Sequence, residues 1–166
     1  MPRLLKIRDL TERGVLAFDL RDLVALIPSE GERLAWCAFP MGEPMAITGD
    51  LSPVGTTAEQ FEQRVDATEA GVMLCWQELV ALGGAIHQTI WGTFLGCEDP
   101  AALAGLGALF CDDWHYLDRA TAALYQAVEI GLQAVDSSFW LVYAKDDAVL
   151  ERIRRAFTEV EVITVG

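Results

Sequence analysis

The sequence predicts a single α+β domain spanning residues 1–166, built on a mostly antiparallel sheet with a long central helix and a C-terminal helix packed on it. Three observations support this fold class. One long segment has helical periodicity, two strand-like segments near the carboxyl terminus are separated by a tight turn, and strands and helices do not alternate regularly along the chain. Gathered strands with helices on their face favour α+β over a regularly alternating α/β sheet.

The first elements are expected to be short. Residues 3–9 have the composition of a strand, and 20–28 have the apolar spacing of a short helix that Asp19 caps. A second strand is expected over 33–39. A stretch rich in proline and glycine, 40–44, follows it and predicts a loop.

The clearest pattern in the chain predicts a long helix over 58–82. Thr57 begins a capping box in which Gln60 stands at the third helical position. Residues suited to a buried face then recur at three- and four-residue steps, and Gly83-Gly84 would end the helix. The recurring positions are Phe61, Val65, Thr68, Val72, Cys75, Leu79 and Leu82.

The middle of the chain continues with a strand and a helix. Residues 85–96 are rich in β-branched and aromatic side chains and are expected to form a strand. Residues 99–110 have the pattern of a helix with Asp99 as its cap, although two glycines weaken it. The stretch 124–135 has an Ala-rich, helix-like start and a strand-like alternation afterwards, so both states stay open there.

The carboxyl-terminal third is expected to contain a hairpin, a helix and a last strand. Residues 139–144 are strongly strand-like, and 136–138 have the composition of a turn that would join them to a preceding antiparallel strand. A helix is expected to open at Asp146-Asp147, with arginines near its end complementing the helix dipole. Residues 160–165 close the chain as a strand.

The charge of the chain is concentrated in its middle. The net charge is −13, but residues 1–33 are neutral and 119–166 carry only −2. Residues 34–118 hold twelve acids and a single base, Arg64, and therefore carry −11. Because nucleic acids and anionic membranes are bound through Lys and Arg, this distribution argues against both as partners. An acidic surface can simply keep a protein soluble, and a cationic small ligand or metal is a further alternative; among protein partners, the distribution favours a basic one.

The four cysteines and the apolar stretches bear on the compartment. The cysteines lie far apart in the chain, which favours free thiols and a cytoplasmic protein. The segment 79–97 lacks charged residues, but it contains too many glycines and polar groups for a comfortable membrane helix. We therefore expect a soluble cytoplasmic protein.

The preferred function is a small acidic, non-catalytic domain of bacterial type that docks on a basic protein. The concrete form of this hypothesis is an immunity- or antitoxin-like protein that covers the cationic active site of a toxin or effector. Trp114 stands among acids, as an anchor residue for a cationic partner does. The expected contact residues are Glu98, Asp99, Asp112, Asp113, Trp114, Tyr116 and Asp118.

Two alternatives stay open. A small metal-dependent or hydrolytic enzyme could use His87 and His115 with nearby Asp and Cys residues, provided that the two histidines share a pocket. However, a zinc site needs three or four ligands, and only Cys111 and His115 have a suitable spacing. No catalytic residue, metal or cofactor is therefore assigned. The second alternative is a homodimer that buries the apolar segment 100–111 against a second copy.

Overall fold

The computed structural model describes residues 1–166 and confirms the α+β class. The strands are β1 (Arg3–Ile7), β2 (Ala35–Phe39), β3 (Ala46–Gly49), β4 (Val72–Leu74), β5 (Ile86–Cys97), β6 (Ile130–Val135), β7 (Phe139–Ala144) and β8 (Val160–Thr164). They form one sheet in the order β4-β2-β5-β6-β7-β1-β8, and β3 pairs with the first half of β5. Every pairing is antiparallel.

Six short helices accompany the sheet. They are α1 (Leu20–Val24), α2 (Pro28–Glu32), α3 (Ala58–Asp66), α4 (Trp76–Ala85), α5 (Ala122–Ala127) and α6 (Asp147–Ala156). None of them combines the length and the apolar character needed to cross a membrane.

The sheet is buried on both faces. Helices α1, α3, α4 and α6 pack on the first face around a core that includes Trp36 and Trp140. The segment 100–128 covers the second face with a smaller core of its own. Burial on two sides explains why β6 and β7 are almost entirely apolar, with Gln133 as the exception in β6, since neither of their faces meets water.

The expected carboxyl-terminal hairpin is confirmed. Strands β6 and β7 pair antiparallel up to Val135 and Phe139. The turn places Asp136 and Ser137 at φ values of +50° and +54°, in the left-handed region that short polar residues tolerate. The stretch 124–135, for which helix and strand both stayed open, contains both. Its first residues belong to the end of α5, and its last six form β6.

The prediction of one long helix over 58–82 is wrong. The chain forms α3 and α4 instead, and β4 lies between them and pairs with β2. Gly71 turns the chain there with φ +75°, and a Cβ at this position would stand 2.2 Å from the Ala38 carbonyl oxygen. Thr57 does cap α3, since its side chain accepts from the Gln60 amide. The periodic apolar positions are mostly buried, but two helices and a strand share them.

The prediction of a helix over 99–110 is also wrong. Two 3-10 turns, Pro100–Leu103 and Leu106–Leu109, replace it, with Gly105 between them at φ +79°. Asp99 nevertheless caps the first turn, where its side chain accepts from the Ala101 amide at 2.9 Å. Glycines in this stretch remove helix propensity, so that packing on the sheet decides the local structure.

An ion pair joins two helices that are distant in sequence. Arg152 of α6 donates from both terminal nitrogens to the Glu30 carboxylate of α2, at 2.8 and 3.1 Å, and also to the Leu26 carbonyl. The hydrogen bond from Arg152 holds the pKa of Glu30 below its ordinary value of 4.5.

The substitution Glu30→Gln is expected to lower the free energy of unfolding at neutral pH by about 0.5–1 kcal/mol. Because the folded pKa is lowered, the contribution of Glu30 is complete above its ordinary pKa and is lost as the pH falls through the folded pKa. Urea titrations from neutral pH to about pH 2 should show the two proteins converging in stability. Glu32→Gln, at an exposed neighbour, should change little, and a pH-independent gap would contradict the role given to Glu30.

Candidate functional site

The acidic part of the chain supplies the strands of one half of the sheet. Strands β2, β3, β4 and β5 all come from residues 34–118, which carry −11. Strands β6, β7, β1 and β8 come from the two segments that carry −2 and zero. The segment that carries −11 therefore supplies β4, β2, β3 and β5, while its carboxylates lie on the segments that join or follow these strands.

A loop of nine residues, 111–119, lies over the second face of the sheet. It is closed at its base, where the Cys111 amide donates to the Arg119 carbonyl at 2.9 Å and Phe110 bridges to Ala120. We refer to it as the 111–119 loop. It contains five of the seven residues that the sequence selected for binding.

Gln133 of β6 fastens this loop to the centre of the sheet. Its side chain is completely buried. The amide oxygen accepts from the Leu117 amide at 2.9 Å, while the amide nitrogen donates to the His115 carbonyl at 2.9 Å and to the Thr93 hydroxyl at 2.8 Å. One side chain thus fixes the loop at two backbone positions.

His115 is a second point of attachment. Its ring packs against both Phe39 and Phe110, with centroid separations of 5.6 and 5.0 Å. Its Nδ1 lies 3.1 Å from the Pro40 carbonyl oxygen, which can only accept, so this nitrogen carries the proton. The backbone of His115 has φ +54°, a value that His adopts more often than most residues. The imidazole therefore has a packing role in the loop.

The outer side of the loop presents two aromatic rings. Trp114 is 46% exposed and stacks on Tyr116, with ring centroids 6.5 Å apart and planes inclined by 8°. Asp112 accepts from the Trp114 amide at 3.0 Å and thereby fixes the backbone below the indole. Arg119 lies over the Tyr116 ring at 5.6 Å. The aromatic pair is consequently held in place by contacts within the protein itself.

Carboxylates surround this pair. Glu43, Asp113 and Asp118 receive no hydrogen bond from any other group of the protein, whereas Asp112 lies 3.6 Å from Arg119. Burial raises the pKa of Tyr116, and the nearby charges of Glu43, Asp112 and Asp118 raise it further. We call this patch the acidic aromatic surface, and its members are Glu43, Asp112, Asp113, Trp114, Tyr116 and Asp118.

Glu43 was not expected from the sequence. It reaches the surface because the 40–44 loop touches the 111–119 loop, with the Gly42 amide donating to the Trp114 carbonyl at 3.3 Å. A Cβ at position 42 would stand 2.6 Å from the Asp113 carbonyl oxygen, so only glycine permits this approach. Gly42 was the only sequence signal for this contact between loops. A contact of this kind leaves no spacing pattern in the sequence.

Glu98 and Asp99 do not lie with the acidic aromatic surface. They follow the end of β5, where Cys97 pairs with Ala35, while Trp114 lies beyond the opposite end of β2. The length of β2, about 13 Å, separates the two places. Glu98 lines another cavity of about 400 Å³, whose other charged residues are Glu30, Arg33, Glu129 and Asp146. The sequence prediction placed Glu98 and Asp99 in one binding surface with Trp114, but the register of β2 against β5 separates them.

The two histidines do not share a pocket. His115 lies beside Phe39, which pairs with Thr93, and lines a groove of about 580 Å³ to which His87 does not belong. His87 is exposed at the start of β5, six residues before Thr93, which corresponds to about 20 Å of extended strand. The arrangement that an enzyme using both histidines would need is therefore absent.

Metal-ligand and thiol chemistry have no support in the geometry either. No group of three or more His, Cys, Asp or Glu side chains is arranged to hold a metal ion. All four cysteines are free, and two of them are buried. Burial raises the pKa of Cys37 to about 12 and that of Cys97 to about 11, which makes both poor nucleophiles.

The apolar segment 100–111 is used within the molecule. Leu103, Leu106 and Phe110 are buried against the second face of the sheet, and Phe110 stacks on Phe39. The segment therefore does not offer the apolar surface that self-association through it would require.

Comparison with known proteins finds no relative. No family model matches the chain, no curated protein is significantly similar to it, and no solved structure matches its fold at a significant level.

Proposed function

We propose that this protein is a non-catalytic binding domain that docks on a basic protein through the acidic aromatic surface. The observation that supports this function best is the exposed Trp114, stacked on Tyr116 among carboxylates that the protein itself leaves without hydrogen-bond partners. Trp and Tyr are enriched among the few residues that contribute most of the energy of protein–protein binding. The faces of both rings also suit Lys and Arg side chains.

The attachment of the loop favours affinity. Gln133 and His115 fix its backbone from below, and Asp112 fixes the position of the indole. A partner therefore does not have to order the loop on binding, and this saves the entropy that flexible segments lose. A surface prepared in this way suits rapid and tight complex formation.

In its specific form, the proposal is an immunity- or antitoxin-like protein that neutralises a basic toxin or effector. The mechanism is occlusion: Trp114 and Tyr116 cover the cationic active site, and Glu43, Asp113 and Asp118 pair with the residues around it. Electrostatic attraction accelerates the encounter. The free thiols of Cys75 and Cys111 are exposed, and because such thiols persist in a reducing compartment, the proposal places the protein in the cytoplasm.

The substitution Trp114→Ala is expected to weaken the complex with the partner by at least about 2 kcal/mol, or roughly 30-fold. Basic proteins encoded by neighbouring genes are the candidates, and isothermal titration calorimetry measures their affinity. Trp114→Phe keeps an aromatic face and should retain most of the binding. An affinity for such a partner that Trp114→Ala leaves unchanged would remove the indole from the interface.

Charge is tested separately with a matched pair of double variants. Asp113→Asn with Asp118→Asn should slow association and flatten its dependence on salt, since exposed charges act mainly on the on-rate. Glu12→Gln with Glu32→Gln removes the same charge from exposed positions of the neutral segment 1–33. Equal effects of the two double variants would show that only total charge matters, which contradicts a localised docking surface.

A further inference from the structure

The edge strand β8 leaves one row of backbone groups unpaired. In its pairing with β1, the Arg8 amide donates to the Glu159 carbonyl and the Val165 amide donates to the Pro2 carbonyl. Hydrogen-bonded positions alternate in an antiparallel pair. The backbone groups of Val160, Val162 and Thr164 therefore point away from β1, and no other element covers them.

We propose that β8 is the interface of a homodimer, in which the β8 strands of two copies pair antiparallel about a two-fold axis at Val162. In this register Val162 lies opposite Val162, and Val160 lies opposite Thr164. The three outward-facing residues of one copy therefore pair with the outward-facing residues of the other. As a result, every outward N–H meets an outward C=O of the other copy. The row of free groups is self-complementary, as a two-fold interface requires.

The side chains agree with this register. Val162 is 47% exposed on the face that α6 covers, and pairing would bring the two valines into contact. Glu161 lies opposite Lys6 within its own sheet and would face Ile163 of the other copy, so no like charges are directly opposed. The nearest charges on the α6 side, Arg3 with Asp147 and Arg154 with Glu151, are already paired.

The charge distribution also selects this edge. Two molecules of net charge −13 repel each other, and the repulsion is smallest when their acidic parts lie farthest apart. Strand β8 ends the nearly neutral side of the sheet, whereas β4, the other edge, lies on the side that carries −11. Edge strands are usually protected by charge, proline or a bulge. In β8 only Glu161 offers such protection, and Lys6 stands opposite it on β1.

Sedimentation equilibrium of the whole chain tests the dimer. We expect a monomer–dimer equilibrium, with Val162→Lys raising the dissociation constant at least about tenfold because two ammonium groups face each other. Met73→Lys is the matched control: it places the same charge on the opposite edge strand at a residue that is 50% exposed, and the dimer should persist. Circular dichroism confirms that both variants fold. A wild type that stays monomeric, or a dimer that Val162→Lys leaves intact, would overturn the proposal.

Crosslinking tests the register. In a Cys75→Ser, Cys111→Ser background, which removes the exposed thiols, Val162→Cys should oxidise to a covalent dimer, because paired residues have Cα atoms about 5.5 Å apart. Thr164→Cys should not, since the two copies of that residue would lie about 13 Å apart. Equal crosslinking at both positions, or crosslinking at 164 alone, would exclude pairing about Val162.

Discussion

The substitution Gln133→Leu is expected to lower the free energy of unfolding by about 3 kcal/mol and to release the 111–119 loop from the sheet. Leucine fills much of the same volume but has no polar atoms. The Leu117 amide and the His115 carbonyl lose their partner below the loop, and the Thr93 hydroxyl loses its donor. Each buried group left unsatisfied costs about 1–3 kcal/mol.

Urea unfolding followed by fluorescence measures the change in stability, and amide hydrogen exchange at 111–119 measures the release of the loop. Gln88→Leu is the control. Gln88 lies on the neighbouring strand β5, is partly exposed and makes one hydrogen bond, to the Ser137 hydroxyl at 3.1 Å, so that its loss should cost about 1 kcal/mol or less. Equal losses in the two variants would show that Gln133 has no special part in holding the loop.

The substitution Asp19→Ala is expected to cost a similar amount, about 3 kcal/mol, because this carboxylate joins the helical layer to the sheet. It caps α1 by accepting from the Leu20 amide at 2.8 Å. It also accepts from the Thr89 amide at 2.8 Å and the Thr89 hydroxyl at 2.6 Å, and Thr89 is completely buried. Alanine leaves both groups of Thr89 without an acceptor.

Asp22→Ala separates the cap from the contact with β5. Asp22 completes the capping box by accepting from the Asp19 amide and makes no hydrogen bond to the sheet, so its loss should cost about 1 kcal/mol. Thermal and urea unfolding of both variants provide the comparison. If the two substitutions are equally costly, the bonds to Thr89 contribute nothing beyond helix capping.

The failed helix over 58–82 shows what periodicity leaves out. Phe61 and Val65 face the core from α3, and Leu79 and Leu82 face it from α4, so the spacing did identify buried positions. Between them the chain pairs with β2, and this long-range contact outweighs local propensity. Gly71 was the sequence signal for the break, because glycine readily adopts the positive φ that the turn requires at this position.

The candidate site was predictable only in part. The exposure of Trp114 and the acids beside it follow from local composition, and the structure brings these residues together. The separation of Glu98 from them depends on the register of β2 against β5, which no single segment encodes. Gln133 was missed for a related reason: a buried amide within an apolar strand acquires its role only when the 111–119 loop folds over it.

Because the strands on one half of the sheet come from the segment that carries −11 and the others from segments that carry −2 and zero, we expect the molecule to have an electric dipole along the strand order, which transient electric birefringence would measure. In the field of a cationic body such a dipole experiences a torque and turns its negative pole toward the source before contact. Fewer collisions then occur in unproductive orientations. Under the proposed function, the arrangement of the strands would speed the capture of a basic partner, independently of any residue that touches that partner.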